Sequence, residues 1–334
     1  MKRHRFLPLF VLVLLSHLAG VGYWLWDNYR KLHTPKIQKE RIIKIRPGAG
    51  LSEVLTELER LKILPNPLFT RLYLRVAFPD LVLKRGTYEI PERASGWDVL
   101  NLIHQGHVLQ KAVTLPEGLD KWETAALLGT TDWGDEAAFL ALINNPEPIR
   151  DLDPNATDLE GYLFPETYYF EESATPKDII SHMITLFRKR TKAYKNDLDQ
   201  SGLSLRQWVT LASLIEKETA INSERFAISG VFHRRLERHM LLQCDPTIIY
   251  ALKLDNQYRG KIYQSQIKYP HPYNTYVYSG LPPGPIASPS LSCLAAALKP
   301  ESHDYLYFVA KNDGSHHFSK TLAEHNRAVQ KYRR

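Results

Sequence analysis

The chain opens on an unbroken apolar run. Residues Phe6 to Trp26 carry no formal charge, Lys2, Arg3 and Arg5 precede them, and Asp27, Arg30 and Lys31 follow. At a rise of about 1.5 Å per residue this length crosses a hydrocarbon core about 30 Å thick, with Tyr23, Trp24 and Trp26 at the interface. The pattern predicts a transmembrane helix over 6–26. The rival reading is a cleaved signal peptide with its apolar core at Leu7 to Leu15, for which Gly20–Gly22 is the one passable cleavage site. Three basic residues before the run and two after it, one offset by Asp27, put residues 1–5 on the cytoplasmic side and export the rest.

Residues 27–40 are polar without an apolar period and read as a linker. Next, Ile42 to Ile45 has the character of a short strand. Leu51, Val54, Leu55, Leu58 and Leu61 fall at helical spacing, and a second helix is expected from Pro67 to Phe78 with Phe69, Leu72, Tyr73 and Val76 on one face. Arg85 to Pro91 closes this β-α-α-β pattern. A helix over 97–104 and an alternating stretch over 108–116 lead to Pro116-Glu117-Gly118, the expected boundary between a module at 41–116 and a larger domain at 117–334. There, helices are expected over 119–128, 135–143, 175–194, 204–219 and 223–239, a loop over 144–158, a strand over 305–309 and a basic helix over 320–334. The fold class expected is α+β.

Composition leaves this picture intact. Of 334 residues, 44% are hydrophobic and 24% charged, which excludes collagen, rods and wholesale disorder. The mean hydropathy of −0.32 excludes a polytopic membrane protein. Forty-three Lys and Arg against 36 Asp and Glu give +7, which suits a polyanionic neighbour such as a membrane surface or wall polymer. Export makes nucleic acid the least suitable of these. Two cysteines, Cys244 and Cys293, do not build a disulfide framework.

Candidate chemistry centres on 205–220. At about 100° per residue, Arg206, Thr210, Ser213 and Lys217 share a polar ridge opposite Leu205, Trp208, Leu211, Ala212 and Ile215. Glu218 falls beside Leu211 and Leu214, and Glu216 near Leu205 and Val209, so both carboxylates depart from the pattern. A carboxyl among apolar neighbours has its pKa raised, as a general acid requires; an ion pair with Arg or Lys is the plainer role. Periodicity does not choose between Glu216 and Glu218. Three stretches, 160–168, 243–250 and 273–276, combine aromatic rings with amides and carboxylates, a composition suited to sugar rings and equally to ordinary packing. No dinucleotide loop, phosphate loop or Gly-x-Ser-x-Gly elbow is present. His316-His317, His233 and His239 lack partners at metal spacing, so no metal site is expected. His233, Arg234, Arg235, Arg238 and His239 read as a solvated basic face.

Taken in order, the apolar anchor, Arg85-Gly86-Thr87-Tyr88, the Glu160–Tyr168 stretch, Leu211-Ala212-Ser213-Leu214-Ile215-Glu216-Lys217-Glu218-Thr219-Ala220, Gln243-Cys244-Asp245-Pro246-Thr247, Tyr273-Asn274-Thr275-Tyr276 and Gly280-Leu281-Pro282-Pro283-Gly284 resemble the endolytic murein transglycosylase (YceG-like) family over nearly the whole chain. The resemblance implies a small LysM-like module at 41–116 ahead of a mixed α/β catalytic domain, held at the inner (plasma) membrane by a single pass and exposed on the periplasmic, extracytoplasmic side. It implies Glu218 as catalytic acid, no cofactor, and peptidoglycan glycan strands as substrate, with peptidoglycan synthases as prospective partners. Glu166, Gln243, Asp245, Tyr273 and Asn274 are the candidates for orienting the sugars, Thr219 for holding the catalytic carboxyl, and Glu216 for an ion pair with Arg225 or Arg234. Cys244, where a small polar residue is expected, and Pro270-His271-Pro272 depart from the family's pattern near the substrate contacts. Two alternatives stand beside this reading: a hydrolytic muramidase using Asp245 or Glu160 as second carboxylate, and a non-catalytic glycan-binding scaffold acting through residues 46–75.

Overall fold

The apolar run continues as a helix well past its last apolar residue. In a computed structural model that describes residues 6–46, 48–219 and 221–332, α1 spans Phe6–His33. Lys2, Arg3 and Arg5 of the charge tally, and Ala220 of the quoted motif, lie outside the described residues. The expected linker is therefore helical over its first half. Its polar residues conceal one inward stripe: Leu32 is buried, Asn28 is buried with its amide donating to the Trp24 carbonyl at 2.9 Å, and Tyr29 and His33 reach other rings.

The chain forms two compact units, the main change from one to the other falling between Lys111 and Ala112. The first comprises Met1–Lys111 with Phe170–Ser173, the second Ala112–Tyr169 with Ala174–Arg334. In the first, β1 (Arg41–Ile45), α2 (Leu51–Arg60), α3 (Pro67–Ala77) and β2 (Gly86–Ile90) follow the β-α-α-β order, and α4 (Gly96–Gln105) is added. The strands pair antiparallel, Arg41 opposite Ile90 and Ile45 opposite Gly86. Ile43, Ile45, Leu55, Leu58, Phe69, Leu74, Tyr88, Val99 and Leu100 form the core, into which α1 inserts Leu32. Glu172 belongs here through Lys44, at 3.2 Å, and the Thr87 hydroxyl, at 3.0 Å. Helix α3 departs from its expected face. It buries Phe69, Thr70 and Leu74, whereas Leu72 and Val76 remain exposed.

The second unit mixes helices and short strands. β3 (Gln110–Thr114) and β4 (Thr167–Glu171) pair, continued by the Leu115 N–H donating to the Glu166 carbonyl at 2.9 Å. Around them lie α5 (Lys121–Gly129), α6 (Glu136–Ile143), α7 (Pro176–Thr191), α8 (Lys195–Ser201), α9 (Leu205–Glu218), α10 (Arg225–Glu237), α11 (Asp245–Leu254), α12 (Leu291–Leu298), the hairpin β5 (Tyr307–Ala310) and β6 (His316–Ser319), and α13 (Leu322–Tyr332). Five of these, β4, α8, α11, α12 and β6, lie outside the expected elements.

α9 is the axis of this unit. Ser204 caps it reciprocally with Gln207, and every residue from Trp208 to Ile215 is buried. The middle of the expected polar ridge is thus internal and bonded, while Lys217 at its end is exposed: Thr210 donates to the Arg206 carbonyl at 2.7 Å, Ser213 accepts from the Ile286 N–H at 3.1 Å, and half-buried Arg206 pairs with Asp153 at 2.8 Å. Against α9, Gly161 holds φ +79, and a Cβ there would fall 2.8 Å from Val209 and 2.6 Å from Pro285, so glycine alone fits.

Candidate active site

Helix α9 ends on Glu218. Thr219 turns extended at φ −144, ψ 136, stopping the helix, and its hydroxyl accepts from the Ile221 N–H at 2.9 Å. Thr219 is therefore the cap of the turn that carries Glu218. The two carboxylates that periodicity left equivalent part company here. Glu216 is buried against Arg225 at 3.3 Å and accepts from the Ser290 N–H at 2.8 Å and the Ser290 hydroxyl at 2.5 Å. Arg225 also contacts the Ser292 hydroxyl and Glu117. Of the two proposed partners for Glu216 the structure selects Arg225; Arg234 pairs with Asp304.

Glu218 is half-buried and faces the 243–245 segment. The Cys244 thiol is buried and in hydrogen-bond contact with the Glu218 carboxyl; burial first and the Glu218 charge second push its pKa well up, so it is a neutral thiol. The Cys244 N–H donates to the Thr275 hydroxyl at 2.9 Å, and the Gln243 N–H to the Thr275 carbonyl at 3.1 Å. Gln243 is exposed in a left-handed conformation, φ +54, that few non-glycine residues adopt. Asp245 opens α11, is exposed, and accepts from the Tyr276 hydroxyl at 2.6 Å. Burial, then this bond, raise the Tyr276 pKa, and Glu218 adds to the effect.

Asn274 shapes the facing loop from inside. It is fully buried, its amide donates to the carbonyls of Ile267 at 3.0 Å and Tyr269 at 2.8 Å, and its oxygen accepts from the Tyr276 N–H at 2.9 Å. Tyr273 points the other way along that loop, its ring 5.0 Å from Tyr250. The Tyr250 hydroxyl donates to Glu160 at 3.1 Å, and Glu160 also accepts from the Lys121 N–H at 2.8 Å. Full burial and neighbouring Asp158 push Glu160 up to about 8. Glu166 is half-exposed and paired with Arg190 at 2.9 Å.

The residues brought together around Glu218 are thus Thr219, Gln243, Cys244, Asp245 and Tyr276, with Arg235 behind them. The expectation of a solvated basic face fails at its centre: Arg235 is buried, donating to the carbonyls of Leu241, Leu242 and Leu306 at 3.1, 2.8 and 2.7 Å, and His233 is bonded to the Ala297 carbonyl. Burial lowers the Arg235 pKa, while charges including Glu218 raise it. A guanidinium stays charged in such a place, so it sets a fixed positive charge near Glu218. Sequence reasoning missed Arg235 because its carbonyl partners are supplied by residues as distant as Leu306.

Comparison with known proteins matches residues 43–331 to the model of the YceG-like family. The chain belongs to the YceG-like family. It is 43% identical to an endolytic murein transglycosylase of Bacillus subtilis (strain 168), over 66% of this chain and 64% of that protein. It is 29% identical to an endolytic murein transglycosylase of Streptococcus pneumoniae serotype 2 (strain D39), over 96% of this chain and again 64% of the relative. The chain therefore spans somewhat less than two thirds of these relatives. A crystal structure of a yceG-like protein from Listeria monocytogenes superposes with a TM-score of 0.60 at 31% identity, covering 87% of this chain and 99% of that one.

Proposed function

We propose that this chain is a membrane-anchored endolytic lytic transglycosylase that cuts peptidoglycan glycan strands with Glu218 as acid and then base. The observation carrying the reading is the 43% identity to a protein named for that activity, joined to the position of Glu218 at the open end of a helix otherwise buried over Trp208–Ile215. Glu218 protonates the β-1,4 glycosidic oxygen between N-acetylmuramic acid and N-acetylglucosamine, with the muramic N-acetyl group stabilising the developing cation. The Glu218 carboxylate then takes the proton of the same sugar's C6 hydroxyl, whose oxygen closes on the anomeric carbon to leave a 1,6-anhydro end. The nucleophile is tethered, so its effective concentration is high and no water is positioned.

Gln243, Asp245 and Tyr273 are proposed to orient the sugars directly, Asn274 to act through the loop it shapes, and Glu166 to contribute from its pair with Arg190. Residues 41–116 are proposed as a LysM-like glycan-binding module, α1 as a single span of the plasma membrane, and wall synthases as partners. For the anchor, the support is that α1 alone among the described helices is long and apolar enough to cross a bilayer.

Purified glycan strands digested with the detergent-solubilised protein and with Glu218→Gln, followed by mass spectrometry of the ends, test the reading. Anhydro ends are expected from the wild type and none from the variant. Reducing ends would instead indicate hydrolysis, and unchanged anhydro product from Glu218→Gln would remove Glu218 from the mechanism.

A further inference from the structure

Cys244 stands at the N-cap of α11 and does not cap it: its side chain makes no bond to the first-turn N–H groups. A thiol accepts poorly, so the side chain is free to turn elsewhere. It turns to Glu218, lying buried and in hydrogen-bond contact with the carboxyl. The backbone around it is pinned. The Cys244 N–H donates to the Thr275 hydroxyl at 2.9 Å, the Gln243 N–H to the Thr275 carbonyl at 3.1 Å, and the Thr247 hydroxyl to the Cys244 carbonyl at 2.7 Å.

The thiol has a single proton to give. The Leu242 carbonyl, 3.8 Å away, already takes a bond from Arg235 at 2.8 Å. An ionised Glu218 carboxyl is the stronger acceptor and draws the proton to itself. Other charged and titratable groups gather here from each neighbouring element. Arg235 on α10 brings a fixed charge and donates to the Leu241, Leu242 and Leu306 carbonyls. Asp245 at the head of α11 is engaged with Tyr276 of the facing loop, whose hydroxyl feels Glu218. On α12, Cys293 faces Glu216 instead. On α9 itself, Glu216 is paired with Arg225, and Lys217 donates to the Gly118 carbonyl at 2.9 Å. Cys244 thus meets Glu218 from the buried side as a neutral donor.

We propose that Cys244 is a positioning residue for the Glu218 carboxyl: its thiol donates to one carboxyl oxygen and leaves the other turned to the glycosidic bond. The proposal rests on the reading of Glu218 as acid and then base. A donor to the carboxylate favours the charged form, and a thiol does so less than a hydroxyl. Glu218 therefore keeps its proton to a higher pH beside Cys244 than it would beside a serine, which suits its first step as an acid. With no donor at all the proton is held higher still, but the carboxyl loses its fixed orientation.

The test reads the alkaline limb of kcat/KM for anhydro-end formation, which follows the carboxyl that must begin protonated. In the detergent-solubilised full chain, Cys244→Ala should move this limb up by about one pH unit and Cys244→Ser should move it down by about half a unit. Cys244→Ala should also lower kcat with little change in KM, and Cys244→Ser should restore kcat. In the chain carrying Cys293→Ala, the infrared S–H stretching band belongs to Cys244, since the sequence holds two cysteines. That band should fall in frequency as pH rises through the limb, because the ionised carboxyl is the stronger acceptor, and should stay in place when Glu218→Gln is added. A limb common to wild type and both variants, or a band indifferent to pH in the chain that keeps Glu218, overturns the proposal; a role in packing alone would lower activity evenly across pH. If Glu218→Gln has meanwhile lost its anhydro ends, the reaction stands without Cys244. Anhydro ends from Glu218→Gln overturn the reaction and this proposal together.

Discussion

Glu216, two residues before the end of α9, and Arg225 face each other at 3.3 Å with side chains 6% and 5% exposed. A buried pair stands or falls as a unit, because removing one partner strands the other charge out of water. Glu216→Ala and Arg225→Ala are each expected to destabilise the protein by about 3–5 kcal/mol. Glu218→Gln, at a half-buried position, is expected to leave the melting temperature nearly unchanged while abolishing glycan cleavage. Thermal denaturation alongside the end-group assay separates the two, and equal stability losses at 216 and 218 would contradict this division.

Glu160 couples stability to pH. Its folded pKa is about 8 against an ordinary value of 4.5. Between these values the folded protein holds a proton that the unfolded chain has released, so stability falls as pH rises through the window. One such group contributes a slope of up to about 1.4 kcal/mol per pH unit. In Glu160→Gln the amide oxygen still accepts from Lys121 and Tyr250 and nothing titrates. Denaturant melts at pH 5 and pH 8 should show a smaller stability loss in the variant than in the wild type; identical losses would rule Glu160 out.

Asn274 is expected to matter through shape. Replacing it by Ala leaves the carbonyls of Ile267 and Tyr269 without their donor, a cost of about 1–3 kcal/mol. Because Tyr276 and Thr275 ride on the same loop, the KM for glycan should rise more than the melting temperature falls would explain. An unaltered KM in a folded Asn274→Ala protein would make the loop irrelevant to substrate.

Leu32→Ala probes the helical reading of residues 27–33. A fully buried leucine lost from a core costs about 2–5 kcal/mol, whereas a linker position costs almost nothing. Protease resistance of the first unit should drop correspondingly. The wild-type profile in Leu32→Ala would restore the linker.

What the sequence discloses follows the range of each signal. Local signals were readable: Thr175 with Pro176 and Asp178 opens α7, and the period of Val54, Leu55 and Leu58 sets α2. Elements without a period were not. α12, Leu-Ser-Cys-Leu-Ala-Ala-Ala-Leu, has small apolar residues on most sides, and the stretch 243–250, read for its composition alone, contains the proline-led start of α11. On α3 the apolar period was real but pointed partly outward, because hydrophobicity alone does not say which surface covers it. At the site, Glu218 and its segment were visible as a break in pattern. Arg225, nine positions on, was an expected partner of Glu216; Ser290 beside Glu216, Leu306 beside Arg235 and Tyr276 beside Asp245 were not, since they lie between 31 and 74 positions away in sequence.

The unbroken course of α1 into the first unit has a mechanical consequence. With α1 as a span, no swivel separates bilayer from protein, so a tilt of the helix becomes a tilt of everything bolted to Leu32 and Trp24. Transmembrane helices tilt to match bilayer thickness, on average by about 20°. On the proposed span, local thinning or thickening of the lipid turns the first unit with the helix, so that its orientation becomes a readout of bilayer thickness.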